Sequence, residues 1–184
     1  MNSTLELPQF KYFKDPCGYG CIVPSNKVCQ CCQKSRGYIY QGNFYTLNQA
    51  SEFCPWCIHS GHAATKFDGS FHDCVIDDNL VLDKENVDIV YTKTPGFSTW
   101  QAFKWPVRDG DICRFIGDID WQEIQTLPQK TIEEFIDRVK SIYSIKSDLE
   151  LQKFLTSISR AGEHAGYLFQ TITSGDYVIY EDWS

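Results

Sequence analysis

No apolar run in this 184-residue chain approaches the ~20 residues that a membrane-spanning helix requires. A helical membrane protein is therefore excluded. The opening Met1 to Phe10 has neither the basic start nor the apolar stretch of a secretion signal, so a cytoplasmic location is expected. Basic residues are scarce: 17 Lys and Arg stand against 24 Asp and Glu, a formal charge of -7. Sequence-independent nucleic-acid binding needs a cationic surface, which argues against that role and against a zinc-ribbon nucleic-acid adaptor. The chain also lacks a Gly-rich phosphate loop, a Gly-x-Ser-x-Gly elbow and a His-Glu-x-x-His helix. No catalytic set is expected, and His164 beside Glu163 reads as a surface histidine at a helix end. Internal repeats and low-complexity linkers are missing too.

What is present is apolar and sulfur-rich. Hydrophobic residues make up 42% and aromatics 15%, enough for a sizeable core. Nine cysteines is an odd number, and a reducing compartment does not favour a disulfide framework. Their spacing says more. Cys29-x2-Cys32 is followed, after 21 residues, by Cys54-x2-Cys57. Two residues between ligands let the backbone turn so that both sulfurs of a pair face one point, and two such pairs close a tetrahedron around zinc. Tyr38-Ile39-Tyr40 and Phe44-Tyr45 flank Gln41-Gly42-Asn43 and predict a hairpin that returns the second pair to the first. One structural zinc on Cys29, Cys32, Cys54 and Cys57 is the expected cofactor. Cys31 sits at the wrong spacing, Cys17 and Cys21 are possible substitutes, and Cys74 and Cys113 read as core residues. The competing reading is thiol-disulfide exchange at Cys54-Pro55-Trp56-Cys57, a tetrapeptide of thioredoxin type. Against it, Leu47 to Phe53 is mostly polar, Gly61 interrupts the following helix, and the first cysteine pair would be unexplained.

Farther along, Ile58 to Phe67 predicts a short helix with His59, His62 and His72 near it as surface or hydrogen-bonding residues. Asp73 to Asp88 combines loop with a short helix, and Ile112 to Ile116 reads as a strand. Thr131-x-x-Glu134 and Ser147-x-x-Glu150 predict capping boxes opening two amphipathic helices. Tyr167 to Ile172 and Tyr177 to Tyr180 predict a closing hairpin around Ser174-Gly175-Asp176. The fold class is α+β: a zinc-ribbon-like four-cysteine lobe over 1–70, packed on a mixed α/β remainder over 71–184 with two C-terminal helices, the two forming one compact unit.

Several segments together resemble one family. Leu7-Pro8-x-Phe10-Lys11-Tyr12, Arg36-Gly37-Tyr38-Ile39-Tyr40, Cys54-Pro55-Trp56-Cys57-Ile58, Ala63-Ala64-x-Lys66-Phe67, Thr94-Pro95-Gly96-Phe97, Trp100-Gln101 and Tyr167-Leu168-Phe169 are similar to the bacterial CbrC proteins, in the same order along nearly the whole chain. The resemblance implies a cytoplasmic zinc protein linked to tolerance of nuclease-type colicins and akin to toxin-immunity proteins; it does not imply a known catalytic activity. Two departures stand out. The family pattern carries His-Cys where this chain has Arg108-Asp109, and Cys-x-x-Cys where it has Thr171 and Ser174. Hydroxyl oxygens do not replace thiolates for zinc, so a second metal site there would be lost, with Cys113 a remnant. The implied partner is a basic toxin domain, a nuclease, met by an acidic face with aromatic anchors: Trp105, Asp109, Asp111, Asp118, Asp120 and Trp121. Neither nucleic acid nor membrane is expected as a partner.

Overall fold

A computed structural model describes residues 6–101, 103–160 and 162–184. The fold is mixed α+β with small antiparallel sheets. Its N-terminal part runs through α1 (Pro16–Tyr19), β1 (Ile22–Pro24), β2 (Tyr38–Tyr40), β3 (Tyr45–Thr46), α2 (Pro55–His59), α3 (His62–Phe67) and β4 (Gly69–Ser70). The hairpin expected between Tyr38–Tyr40 and Phe44-Tyr45 does not form. β2 pairs instead with β1, and β3 with β4. The reason lies in Tyr40, which is buried and donates its hydroxyl to the Asn43 carbonyl at 2.8 Å. The Gln41–Asn43 segment therefore wraps its own tyrosine rather than making a tight two-residue turn. Gly42 is required there, because a Cβ would collide with the Tyr40 hydroxyl. The second cysteine pair still returns to the first, since the Tyr40 N–H donates to the Phe53 carbonyl at 2.8 Å. The helix predicted over Ile58 to Phe67 is two helices, broken at Gly61, whose φ of 76° is left-handed and favours glycine.

The chain continues, past a 3-10 turn at Asp78–Leu80, into α4 (Glu85–Lys93), β5 (Val107–Arg108), β6 (Asp111–Ile112), β7 (Arg114–Ile119), α5 (Trp121–Ile124), α6 (Gln129–Tyr143), α7 (Asp148–Ser157), β8 (His164–Gln170) and β9 (Tyr177–Trp183). The last three strands make one sheet in the order β7-β8-β9. Strand alternation splits its side chains between two cores. Ala165, Tyr167 and Phe169 join an aromatic core shared with Tyr12, Phe13, Phe53 and Trp105, where Phe97 stacks on Phe115 at 3.6 Å. Ile119 and Ile179 turn the other way, onto Phe135, Val139 and Leu155 of α6 and α7. In β7 the alternation changes phase at a bulge between Phe115 and Gly117. Of the two predicted caps, Ser147 and Glu150 form a capping box on α7. Thr131 does not cap α6: the helix starts earlier, behind Pro128, and Thr131 is buried within it.

Candidate metal centre

Cys29 and Cys32 lie on a tight turn in which the Cys29 N–H donates to Lys34 and the Gln33 N–H returns to the Cys29 carbonyl at 2.8 Å. Gln33 completes the reversal with a φ of 57°. Cys54 stands at the N-cap of α2 with Pro55 behind it, and the Cys57 N–H donates to the Cys54 carbonyl at 3.0 Å. Both turns aim their sulfurs inward. The four sulfur atoms lie within 4.8 Å of one another, and Cys32 and Cys54 are 3.8 Å apart. Metal–sulfur bonds of ~2.3 Å set a tetrahedral edge of roughly 3.8 Å, so the cluster is near the size a metal needs. Cys29, Cys54 and Cys57 are buried and Cys32 is half-buried.

Neighbours that spacing alone does not reveal hold the two turns together. Gln30 is the main one. Its N–H donates to the Glu52 carbonyl at 2.8 Å, and its side-chain oxygen accepts from the N–H groups of Ser51 and Glu52. Lys66 donates to the Cys31 and Gln30 carbonyls, and Arg36 lies over the Trp56 ring at 5.5 Å. These two cations sit beside a cluster whose bound form would carry excess negative charge. The Cys54 N–H donates to the Cys29 sulfur at 3.2 Å, the kind of contact that stabilises a thiolate.

Ionisation within the cluster is uneven. Hydrogen bonds from the Cys54 thiol and from backbone N–H groups hold Cys29 down at about 4. Its partner Cys54 is pushed up, chiefly by that same hydrogen bond to Cys29, and burial pushes Cys57 up. Left to itself the cluster favours a thiolate at Cys29 over one at Cys54 or Cys57. A bound cation would displace the remaining protons, which is how metal binding couples to pKa.

Cys31 remains outside the four, beside Cys57, with its thiol raised by burial. The Cys21 thiol donates to the Pro16 carbonyl at 3.5 Å, and neither it nor Cys17 joins the cluster. Cys74 and Cys113 are buried, each pushed up to about 12 by burial. Thr171 and Ser174 meet at 2.7 Å and Ser174 donates to Asp109 at 3.1 Å, a hydrogen-bonded cluster without thiolates. Among the described residues the four cysteines are the group of metal-ligating side chains that converges.

A family model described as an uncharacterised protein family, UPF0167, matches residues 7–183. The chain belongs to the UPF0167 family. A UPF0167 protein of Mycobacterium bovis is 32% identical over 185 residues, covering 97% of this chain and 95% of the relative. One from Mycobacterium tuberculosis shows the same figures, 32% with 97% and 95% coverage. A Pseudomonas aeruginosa UPF0167 protein is 39% identical over 125 residues, covering 66% of this chain and 69% of the relative. No solved structure matches. Among the described residues of this UPF0167 chain, no helix is long and apolar enough to cross a membrane.

The six residues expected on a partner face differ in their burial and in what they touch. Trp105 is fully buried, and its indole N–H donates to the Cys113 carbonyl at 2.7 Å; it cannot anchor a partner. Asp111 is a brace, accepting from Tyr12 and Asn86 and pairing with Lys11 at 3.1 Å. Asp120 caps α5 in a capping box with Glu123, and Trp121 packs against the helical core. Asp118 accepts from the Tyr19 hydroxyl at 3.2 Å. Asp109 is the one of the six that is exposed. Aromatic residues are favoured in cores and interfaces alike, so sequence could not tell these uses apart. Two histidine expectations also change. His72 and His164 are buried, the first against Phe97 and Trp105 and the second stacked on Trp183 at 3.6 Å.

Proposed function

We propose that Cys29, Cys32, Cys54 and Cys57 bind one structural zinc ion and that the protein acts by stoichiometric binding, in toxin tolerance or immunity of the kind the resemblance to CbrC proteins implies. The observation that carries the metal reading is the convergence of four sulfurs from two turns tied together by Gln30. Four thiolates fill a tetrahedral zinc and leave no position for a reacting water. A tetrahedral all-sulfur set also suits iron, which a colour would betray. Protein purified under reducing conditions should be colourless and carry about one zinc per chain, as one closed site requires. Metal-free protein with freely titratable thiols in the native state would overturn this reading.

The binding role is supported by the charge of -7, which suits a basic partner through steering. The exposed carboxylate of Asp109 and its hydroxyl neighbours are the starting point for such a surface. Co-expression with basic nuclease toxins should give protection that Asp109→Lys weakens. Association in vitro should slow as salt rises and the Debye length falls from ~10 Å at 0.1 M to ~3 Å at 1 M. Binding that ignores both salt and Asp109→Lys would remove charge from the explanation.

One feature favours the thiol-disulfide alternative: Cys54 and Cys57 bracket the first turn of α2, as redox dithiols do. Alkylation separates the two. A zinc-held Cys57 resists reagent until a chelator is added, whereas a redox pair reacts at once without one.

A further inference from the structure

The bulge in β7 directs Asp118 toward a cavity that the metal centre does not use. The cavity measures about 370 Å³, and Tyr19, Ser98, Trp100, Asp118, Ala165 and Tyr167 line it; that size falls within the range of small-molecule sites. Asp118 pairs with Tyr167 across the sheet, so their side chains emerge on one face. Regular alternation from Phe115 would have put Asp118 on the helix side. The extra residue, Ile116, reverses the phase, and bulges commonly re-aim a side chain in this way. The loop opposite is pinned in place. The Trp100 indole donates to the Gly162 carbonyl at 2.8 Å, and the Gln101 N–H donates to Asp182 at 3.0 Å.

We propose that this cavity binds an alkylammonium group, with Asp118 as counter-ion and Tyr19, Trp100 and Tyr167 as aromatic walls. Aromatic rings attract cations through their electron-rich faces, and a desolvated carboxylate strengthens the selection. Anions are disfavoured, because Asp15 lines the adjoining cavity that shares Tyr19 and Asp118. The nearby cation, Arg160, is already engaged by Glu123. One Asp118 oxygen takes the Tyr19 hydroxyl; the other has no hydrogen-bond donor among the described residues. Burial holds the Asp118 carboxyl above its usual range, a cost that an incoming cation would offset. The same chemistry could be presented by a free amine or by a lysine side chain of a protein. The site depends on neither the zinc nor the toxin reading.

The test titrates the full-length protein with choline, n-butylammonium and a short lysine-containing peptide, following the Trp100 indole N–H by NMR and the heat of binding. Butyrate and 3,3-dimethylbutanol, a neutral analogue of choline, serve as controls. Saturable binding is expected for at least one cation and not for the controls. Asp118→Asn and Trp100→Ala should each weaken it about tenfold, while Asp109→Asn should leave it unchanged. Ser98→Arg, on the exposed rim, should block the cavity with a tethered cation and does not touch the core. Binding by the amines alone identifies a small-molecule ligand, and binding by the peptide alone identifies a protein one. Equal binding of the neutral analogue would overturn the proposal, as would unchanged affinity in both Asp118→Asn and Ser98→Arg. No saturable binding at millimolar cation would overturn it too.

Discussion

Cys31 and Cys54 differ little as sequence, and their neighbours make them very different residues. Cys54 lies against Cys32, donates its N–H to the Cys29 sulfur and occupies the N-cap position of α2. Cys31 has its carbonyl held by Lys66 and its thiol outside the cluster. Cys54→Ser should therefore release the metal and loosen the N-terminal part of the chain, because structural zinc contributes roughly 10–16 kcal/mol of apparent binding free energy in small peptides. Cys31→Ser should leave metal content intact and shift stability by about 1 kcal/mol or less. Metal analysis and thermal melts of the two variants check this, and a reversed order would place Cys31 among the ligands. The four-cysteine cluster was legible because x2 spacing encodes a local turn. Gln30 was not, because its value lies in hydrogen bonds to Ser51 and Glu52, which only the tertiary fold brings near.

At the scale of the element, the two long helices show why one cap could be read and the other could not. Ser147 precedes its helix with an extended backbone, and its side chain accepts from the Glu150 N–H. Thr131 has the same sequence pattern with Glu134, but Pro128 starts α6 earlier and leaves Thr131 buried inside it. A capping box is a pattern of four residues, and a proline upstream can claim the helix start first. The two sites should respond oppositely to valine. Ser147→Val removes a cap and should cost about 1 kcal/mol. Thr131→Val keeps the buried shape without a capping bond to lose, and should be close to neutral. Urea denaturation of both variants measures the contrast; equal losses would mean that Thr131 caps after all. The pairing of the short strands escaped for a related reason. β1 to β4 have two or three residues each, too few for alternation to indicate a partner.

Across the whole molecule, the sheet of β7, β8 and β9 separates an aromatic core from a helical one, and a buried histidine sits on each side of it. The α+β class and the closing hairpin were legible from patterning, whereas these burials were not: histidine suits surface, core and ligand roles, and only packing chooses. Burial holds His164 down at about 4. It holds His72 down at about 3, with the Thr94 and Pro95 backbones partly opposing it. The ring nitrogen Nε2 of each is buried without a hydrogen-bond partner among the described residues, so a proton added there would be poorly solvated. An unfolded histidine titrates near 6.5. The folded state therefore binds fewer protons than the unfolded state below that value. Stability from each ring is fully present above pH ~6.5 and is lost as pH falls toward its folded value. Two other acid effects overlap this window. Protonation of cysteine ligands would release metal with the same sign, while Asp118 and Glu181, raised by burial, would work against the loss. A difference measurement isolates one ring. His164→Gln replaces a titrating group with a neutral one, while Ser157, Phe154 and Trp183 still surround the site. Denaturation of wild type and variant from pH 7.5 to 4.5, with bound metal assayed at each step, should give profiles that converge as pH falls below about 6.5, by up to about 1.4 kcal/mol per pH unit. The wild type loses the histidine contribution and the variant has none to lose. Parallel profiles would show that His164 takes up its proton as readily in the folded protein as in the unfolded chain, and burial would then not be keeping it neutral.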